Sequence, residues 1–328
     1  MSNVSLNTNI WLHRFTKLLV GATFILIFIG GLVTSTESGL AVPDWPTTHG
    51  YSMFSFPLSK MIGGILYEHG HRLVATAVGL LMMILAFWMW QQEPRKWVRQ
   101  LSLIALLAVI AQGILGGVTV LLKLPPAVSV SHATLAQTFF CLTIGLAMFT
   151  SPKWQQQPPQ IEDTHRPSLR NLSVATVASV YVQLILGAVM RHTKSGLAIP
   201  DFPLAFGRLI PPFTSDKVAI HFTHRVGALV VTILVAWTVL RVLRNYRQER
   251  QLYRPALLLA CTMVLQITLG ALTVWTQKAV IPTTAHVATG ALILGTSLVL
   301  ALQAYRLRAV PERVHAKGRT VEAIQATK

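Results

Sequence analysis

Four histidines carry the chemistry open to this sequence. His71, His132, His224 and His286 each stand at the start of a long apolar run, and the members of each pair are 61 and 62 residues apart. Such a separation spans two membrane crossings, so the chain returns to the same depth. Two neutral imidazoles facing each other across a helical bundle can ligate a heme iron from both sides. A histidine left alone at that depth is costly, which favours a functional role over four incidental hydrogen bonds. Zinc is a poor competitor, because two histidines per half come with no supporting Asp, Glu or Cys cluster.

Glu68 breaks the symmetry. It lies three residues before His71, on the same helix face, and the matching position in the second half is His221. Intramembrane carboxylates are expensive and usually functional, so Glu68 is a candidate acid, base or cation stabiliser; the plainer alternative is an interfacial ion pair with Arg72. Arg72 and Arg225 directly follow two of the candidate ligands. They could hold heme propionates by charge-assisted hydrogen bonds, or snorkel to water. His69 faces elsewhere and is set aside as a ligand. His49 and His192 fall in outer loops, and His13, His165 and His315 are expected to be solvated on the cytoplasmic side.

The elements that must position these groups follow from composition. Of 328 residues 52% are hydrophobic and 12% charged, against roughly 25% charged in a soluble domain. The mean hydropathy is +0.54. Disorder, collagen and coiled coil are excluded, and a multi-span membrane protein is the reading. Apolar runs of spanning length occur near 15–34, 70–90, 101–122, 130–150, 170–190, 221–242, 255–276 and 284–305. The first run follows Arg14 and Lys17 in the manner of a signal peptide, but it belongs to a repeat and is expected to stay.

The net charge of +17 does not imply a nucleic-acid partner, because 19 of the 28 Lys and Arg residues cluster at alternate ends of the runs. That bias places both termini in the cytoplasm and the chain in the cell (inner) membrane, with the lipid bilayer as its surroundings. The two long connections, 35–67 and 191–220, then lie outside as candidate lids. Cys141 and Cys261 fall in apolar runs, and no CxxCH is present for covalent heme attachment.

The chain is duplicated. Ser38-Gly-Leu-Ala-Val-Pro-Asp-Trp-Pro46 recurs as Ser195-Gly-Leu-Ala-Ile-Pro-Asp-Phe-Pro203, His71-Arg72 as His224-Arg225, Gln112–Val120 as Gln266–Val274, and His132 as His286, at offsets of 157, 153, 154 and 154. Four crossings per half return the chain to its starting side, so the repeat is parallel. The expected fold is all-α and polytopic: eight transmembrane helices as two parallel four-helix bundles related by a pseudo-twofold axis along the membrane normal. The expected domains are residues 1–160 and 161–328. Gly30, Gly31, Gly113, Gly116, Gly117, Gly187 and Gly270 would let the helices approach closely, the plainer alternative being that glycine is common in membrane helices.

These residues carry a resemblance. Glu68-His-Gly-His71-Arg72 is similar to the Glu-x-x-His-Arg signature that opens the second span of the heme A synthase family, and the eight spans, duplicated halves and four outer histidines follow the same plan over nearly all of residues 15–305. The resemblance implies an oxidoreductase that converts a methyl group of heme O to the formyl group of heme A by successive hydroxylation, giving a geminal diol that loses water. It implies that His71 and His132 hold the substrate heme O, that Glu68 is the catalytic carboxylate, and that His224 and His286 ligate a resident heme b. An electron donor or acceptor and a membrane heme O synthase are the partners it implies.

Many relatives carry a cysteine pair in the first outer loop. Here Val42 and Thr48 stand near those places, so a thiol role is not general. The alternative reading is a diheme b-type electron-transfer cytochrome without porphyrin chemistry, which accounts for the four histidines but not for a carboxylate in one half only. A transporter built from parallel repeats is a third, weakened by the shortage of intramembrane charge away from the outer face.

Overall fold

The computed structural model describes residues 9–156, 163 and 165–306. The basic residues from Arg308 to Lys328, His315 and the boundary at residues 160 and 161 lie outside the described residues. Among the described residues eight helices are long and apolar enough to cross a membrane: α1 (Ile10–Ser35), α2 (Gly64–Gln92), α3 (Lys96–Leu121), α4 (Pro126–Phe149), α6 (Leu169–His192), α7 (Asp216–Asn245), α8 (Arg250–Trp275) and α9 (Val280–Arg306), with α5 (Pro152–Gln155) a single turn between α4 and α6. The protein is therefore an all-α, multi-pass membrane protein.

Each span has 24 to 30 residues, which at 1.5 Å per residue is about 36 to 45 Å, longer than a hydrocarbon core of roughly 30 Å. The excess forms polar helix ends that a hydropathy window undercounts. Asn9 caps α1 by accepting from the amides of Trp11 and Leu12, Ser168 and Ser215 cap α6 and α7, and Pro126 starts α4 where its missing N–H costs nothing. Large apolar side chains such as Phe87, Leu107, Leu229 and Val264 stay exposed on the outward faces, as helices surrounded by lipid require.

Each half has its own apolar core, built around Leu19, Met82 and Leu146 in the first and Val235, Leu259 and Leu294 in the second. A smaller cluster of Ile27, Phe140, Ile144 and Ala291 joins the halves. Between halves α1 packs on α9 and α4 on α6, contacts that interchange when the halves are interchanged, while α4 also meets its own counterpart α9. Small residues make α9 the most enclosed span: Gly295 has no room for a Cβ beside Ile144 Cδ1, which would lie 2.8 Å away.

Candidate functional site

The four candidate ligands lie deeper than the apolar runs suggest. His71, His132, His224 and His286 are six to eight residues inside α2, α4, α7 and α9, about two helical turns. Gly64, Glu68 and His69 lower the hydropathy at the start of α2 without ending the helix. His132 lies within electrostatic range of His71, and His286 of His224.

All four rings share one setting. An ideal Cβ on Gly30 of α1 would lie 3.1 Å from Cε1 of His71, one on Gly116 of α3 3.0 Å from that of His132, one on Gly187 of α6 3.2 Å from that of His224, and one on Gly270 of α8 3.1 Å from that of His286. A bare backbone on the neighbouring helix is thus the seat of each imidazole. Nδ1 of His71 and Nδ1 of His132 are buried without a hydrogen-bond partner. Buried ring nitrogens left unpaired are expensive, and paired imidazoles are a donor set that suits a heme iron. Among the described residues no three His, Cys, Asp or Glu side chains converge as a bare metal site.

The two long loops at the histidine end of the bundle repeat each other in their hydrogen bonds. Arg72 donates to the carbonyls of Val42, Asp44 and Thr47, at 2.8, 2.8 and 3.0 Å. Arg225 donates to those of Ile199, Asp201 and Leu204, at 3.3, 2.7 and 2.8 Å, each the equivalent position in the second loop. Where propionate contacts are expected from sequence, the structure directs these guanidinium N–H groups to loop backbone. One planar fork reaching three carbonyls is a task for arginine.

Asp44 and Asp201 close the same loops from within. Asp44 accepts from the amides of His49 and Gly50, and Asp201 from those of Phe206 and Gly207. Burial raises the pKa of Asp44, but the hydrogen bonds from Gly50, Thr47 and His49 outweigh it and hold the carboxyl well below the usual range. Those from Gly207 and Phe206 do the same, more mildly, for Asp201.

Glu68 is buried, 4% exposed. Its Oε1 accepts from Arg72 and its Oε2 from the amide of Val42, both at 2.7 Å. The ion pair with Arg72 anticipated as the plainer role is present, and a carboxylate retains further lone pairs for another donor. His221, its counterpart, lies 3.2 Å from the amide of Ile199 through Nδ1 and 3.2 Å from Nε of Arg225 through Nε2. A neutral imidazole has one acceptor nitrogen, so His221 can satisfy one donor where Glu68 satisfies two.

The remaining histidines separate cleanly. His69 is buried with Nδ1 3.0 Å from Thr48 Oγ1 and its ring against Phe56, in keeping with its exclusion as a ligand. Val42 and Thr48 are both engaged in the first loop, Val42 with Glu68 and Thr48 with His69. His192 is the last residue of α6 rather than a loop residue. His13 corrects an expectation: it is buried in α1, with Nδ1 3.4 Å from Thr150 Oγ1, not solvated.

Sequence reasoning missed Arg191. Its Nη2 crosses between the halves to Ser35 Oγ at 2.9 Å and the carbonyl of Gly31 at 3.4 Å, and among the described residues it makes no ion pair. It lies within electrostatic range of His286 and His192. Its equivalent 157 residues earlier is Thr34, so the duplication that exposed the other groups gave no signal for this one.

Fold and site together define a multi-pass membrane protein whose two halves each present a pair of half-buried imidazoles near one end of the bundle. The cytochrome oxidase assembly protein family (COX15-CtaA) matches residues 13–298, and the chain belongs to that family. It is similar to the heme A synthase of Halalkalibacterium halodurans, 28% identical over 79% of this chain and 87% of that protein, and to that of Geobacillus kaustophilus, 27% identical over 95% and 99%. The heme A synthase of Symbiobacterium thermophilum is 28% identical over 76% of this chain and 80% of its own length.

Proposed function

We propose that this chain is an oxidoreductase that converts the methyl substituent of heme O to the formyl group of heme A. Membership of the family and similarity to proteins named heme A synthase support the overall reaction. The observation that carries the division of labour is the exchange of Glu68 for His221 at one place in two otherwise matching loop anchors. On this reading His71 and His132 hold substrate heme O in the first half, and His224 and His286 hold heme b in the second. Bound there, heme b would supply one-electron transfer.

Glu68 is the catalytic carboxylate on this reading. It stands one turn outward from His71, and Arg72 and the amide of Val42 fix its orientation. Taking a methyl group and one water to a formyl group releases four electrons and four protons, the electrons passing on this reading to an external electron acceptor; their loss develops positive charge on the carbon, which a fixed carboxylate stabilises, and its remaining lone pairs can take a proton from attacking water. The loops held by Arg72 and Arg225 restrict water at the outer end. Those two guanidinium groups, their N–H groups held on the loops, would supply positive charge for heme propionates, and Arg191 would offer a further cation near His286.

The orientation follows the basic residues. Arg95, Arg241 and Arg244 lie at the bundle end opposite the histidines, and this basic bias supports a cytoplasmic side for that end and both termini in a bacterial cell membrane. Pigments extracted from cells that make heme O, with and without this chain, test the reaction. A new formyl-bearing heme that requires the chain supports it. Unchanged heme O beside bound heme in the purified protein would instead favour an electron-transfer cytochrome.

A further inference from the structure

The glycine seats come with a second feature, present at three histidines and missing at the fourth. One turn from Gly116, Gln112 brings Nε2 to 3.0 Å from the backbone carbonyl of His132 and 3.4 Å from its Nε2. One turn from Gly187, Gln183 brings Nε2 to 2.8 Å from the carbonyl of His224 and 3.1 Å from its Nδ1. One turn from Gly270, Gln266 brings Nε2 to 3.4 Å from Nε2 of His286, whose Nδ1 lies 3.2 Å from the carbonyl of Gln266 itself. The Oε1 atoms of all three glutamines are buried without a partner.

An amide offers a donor and an acceptor, so it can meet an imidazole in either tautomer. A histidine that ligates a metal through one ring nitrogen directs the other to a hydrogen-bonding group that fixes its orientation. Two of the three amides already donate to the backbone carbonyl of their histidine, and all three keep an Oε1, buried without a partner, that can accept the N–H of a ligating imidazole; Oε1 of Gln137 is partnerless as well. At the equivalent place one turn from Gly30, α1 carries Leu26. Among the described residues the side chain of His71 makes no hydrogen bond; Nδ1 of His132 is likewise partnerless, so what sets His71 apart is the missing glutamine.

Resting on the two-heme reading above, we infer that Gln112, Gln183 and Gln266 are positioning residues, each holding one axial imidazole, and that His71, with leucine in place of glutamine one turn from its glycine seat, is the axial ligand built to let go. The second-half site is then gripped on both faces, as a resident heme needs. The first-half site is gripped on the His132 face and open to exchange on the His71 face, as a site that takes in one heme and releases another needs. A bis-imidazole iron binds an external ligand only after an imidazole leaves, so the asymmetry is measurable apart from any turnover.

The test is carbon monoxide binding to the reduced, purified holoprotein, followed by absorbance. In the wild type one heme of the two binds carbon monoxide and the other stays six-coordinate. Leu26→Gln lowers binding at least tenfold while both hemes keep their low-spin spectra. Gln183→Leu and Gln266→Leu each open the second heme to carbon monoxide, and Gln183→Glu, which restores an acceptor, closes it again. These last variants decide the matter even where a buried glutamine at residue 26 prevents folding.

Equal reactivity of both wild-type hemes, or of neither, overturns the inference. So does a second heme that stays closed in both glutamine variants. A purified protein that binds no heme overturns the two-heme reading itself, a result distinct from unexpected reactivity of bound heme.

Discussion

Glu68 and His221 do the same structural work with different chemistry: the first accepts the amide of Val42 at 2.7 Å and the second faces the amide of Ile199 at 3.2 Å, at equivalent places in the two loops. Anchoring the loop therefore does not require a carboxylate, since the second half does it with an imidazole. A buried negative charge in one half only is what the anchor leaves unexplained and the proposed chemistry uses.

Glu68→Gln and Glu68→His separate the two roles. Both substitutions keep an acceptor for the amide of Val42 and remove the charge. General acid or base action contributes roughly 10²- to 10⁴-fold, so we expect heme A yield to fall by at least about a hundredfold while both hemes remain bound. Heme extraction with chromatographic identification reads both quantities; loss of bound heme in step with loss of product would assign Glu68 to loop anchoring alone.

The glycine seats predict selective heme loss. A Cβ on Gly116 would lie 3.0 Å from the ring of His132, and one on Gly270 3.1 Å from that of His286. Misdirecting a ligand costs about 10- to 100-fold in metal affinity. Gly116→Ala should therefore weaken the first-half heme and Gly270→Ala the second, as read by heme titration of each variant.

Arg72→Lys and Arg225→Lys should each release one loop. An ammonium cannot reach the three carbonyls that one guanidinium fork spans. With net hydrogen bonds worth about 1 kcal/mol each, a loss near 2 kcal/mol is expected. Proteolysis confined to residues 36–63 in the first variant and 193–215 in the second checks it; unchanged protease resistance contradicts it.

Asp44 gives a pH prediction. Its carboxyl lies below the usual range in the folded loop, where its hydrogen bonds outweigh burial. A depressed pKa contributes stability that is fully present above the unfolded value of about 3.9 and lost as pH falls through the folded value. Exchange protection of the His49 and Gly50 amides should thus be constant from pH 8 to 5. Asp44→Asn should reduce it throughout that range.

Much of this was legible in the sequence because duplication writes the same information twice. Eight spans, the histidine pairs and the odd position of Glu68 emerge from offsets near 155 residues. What stayed hidden depends on direction rather than spacing. The pairing of Arg72 and Arg225 with loop carbonyls is invisible because backbone acceptors have no residue type. Arg191 has no counterpart to flag it, and His13 reads as solvated because a basic neighbourhood conceals its burial against Thr150.

The heme content of single-histidine variants tests the division of labour most directly. Hemes extracted from the purified wild type in cells making heme O should include heme b and formyl-bearing heme A. His132→Ala should retain heme b and yield no heme A, and His286→Ala should lose heme b. Heme b lost from His132→Ala and kept in His286→Ala, or a wild type that never yields a formyl heme, would contradict the account.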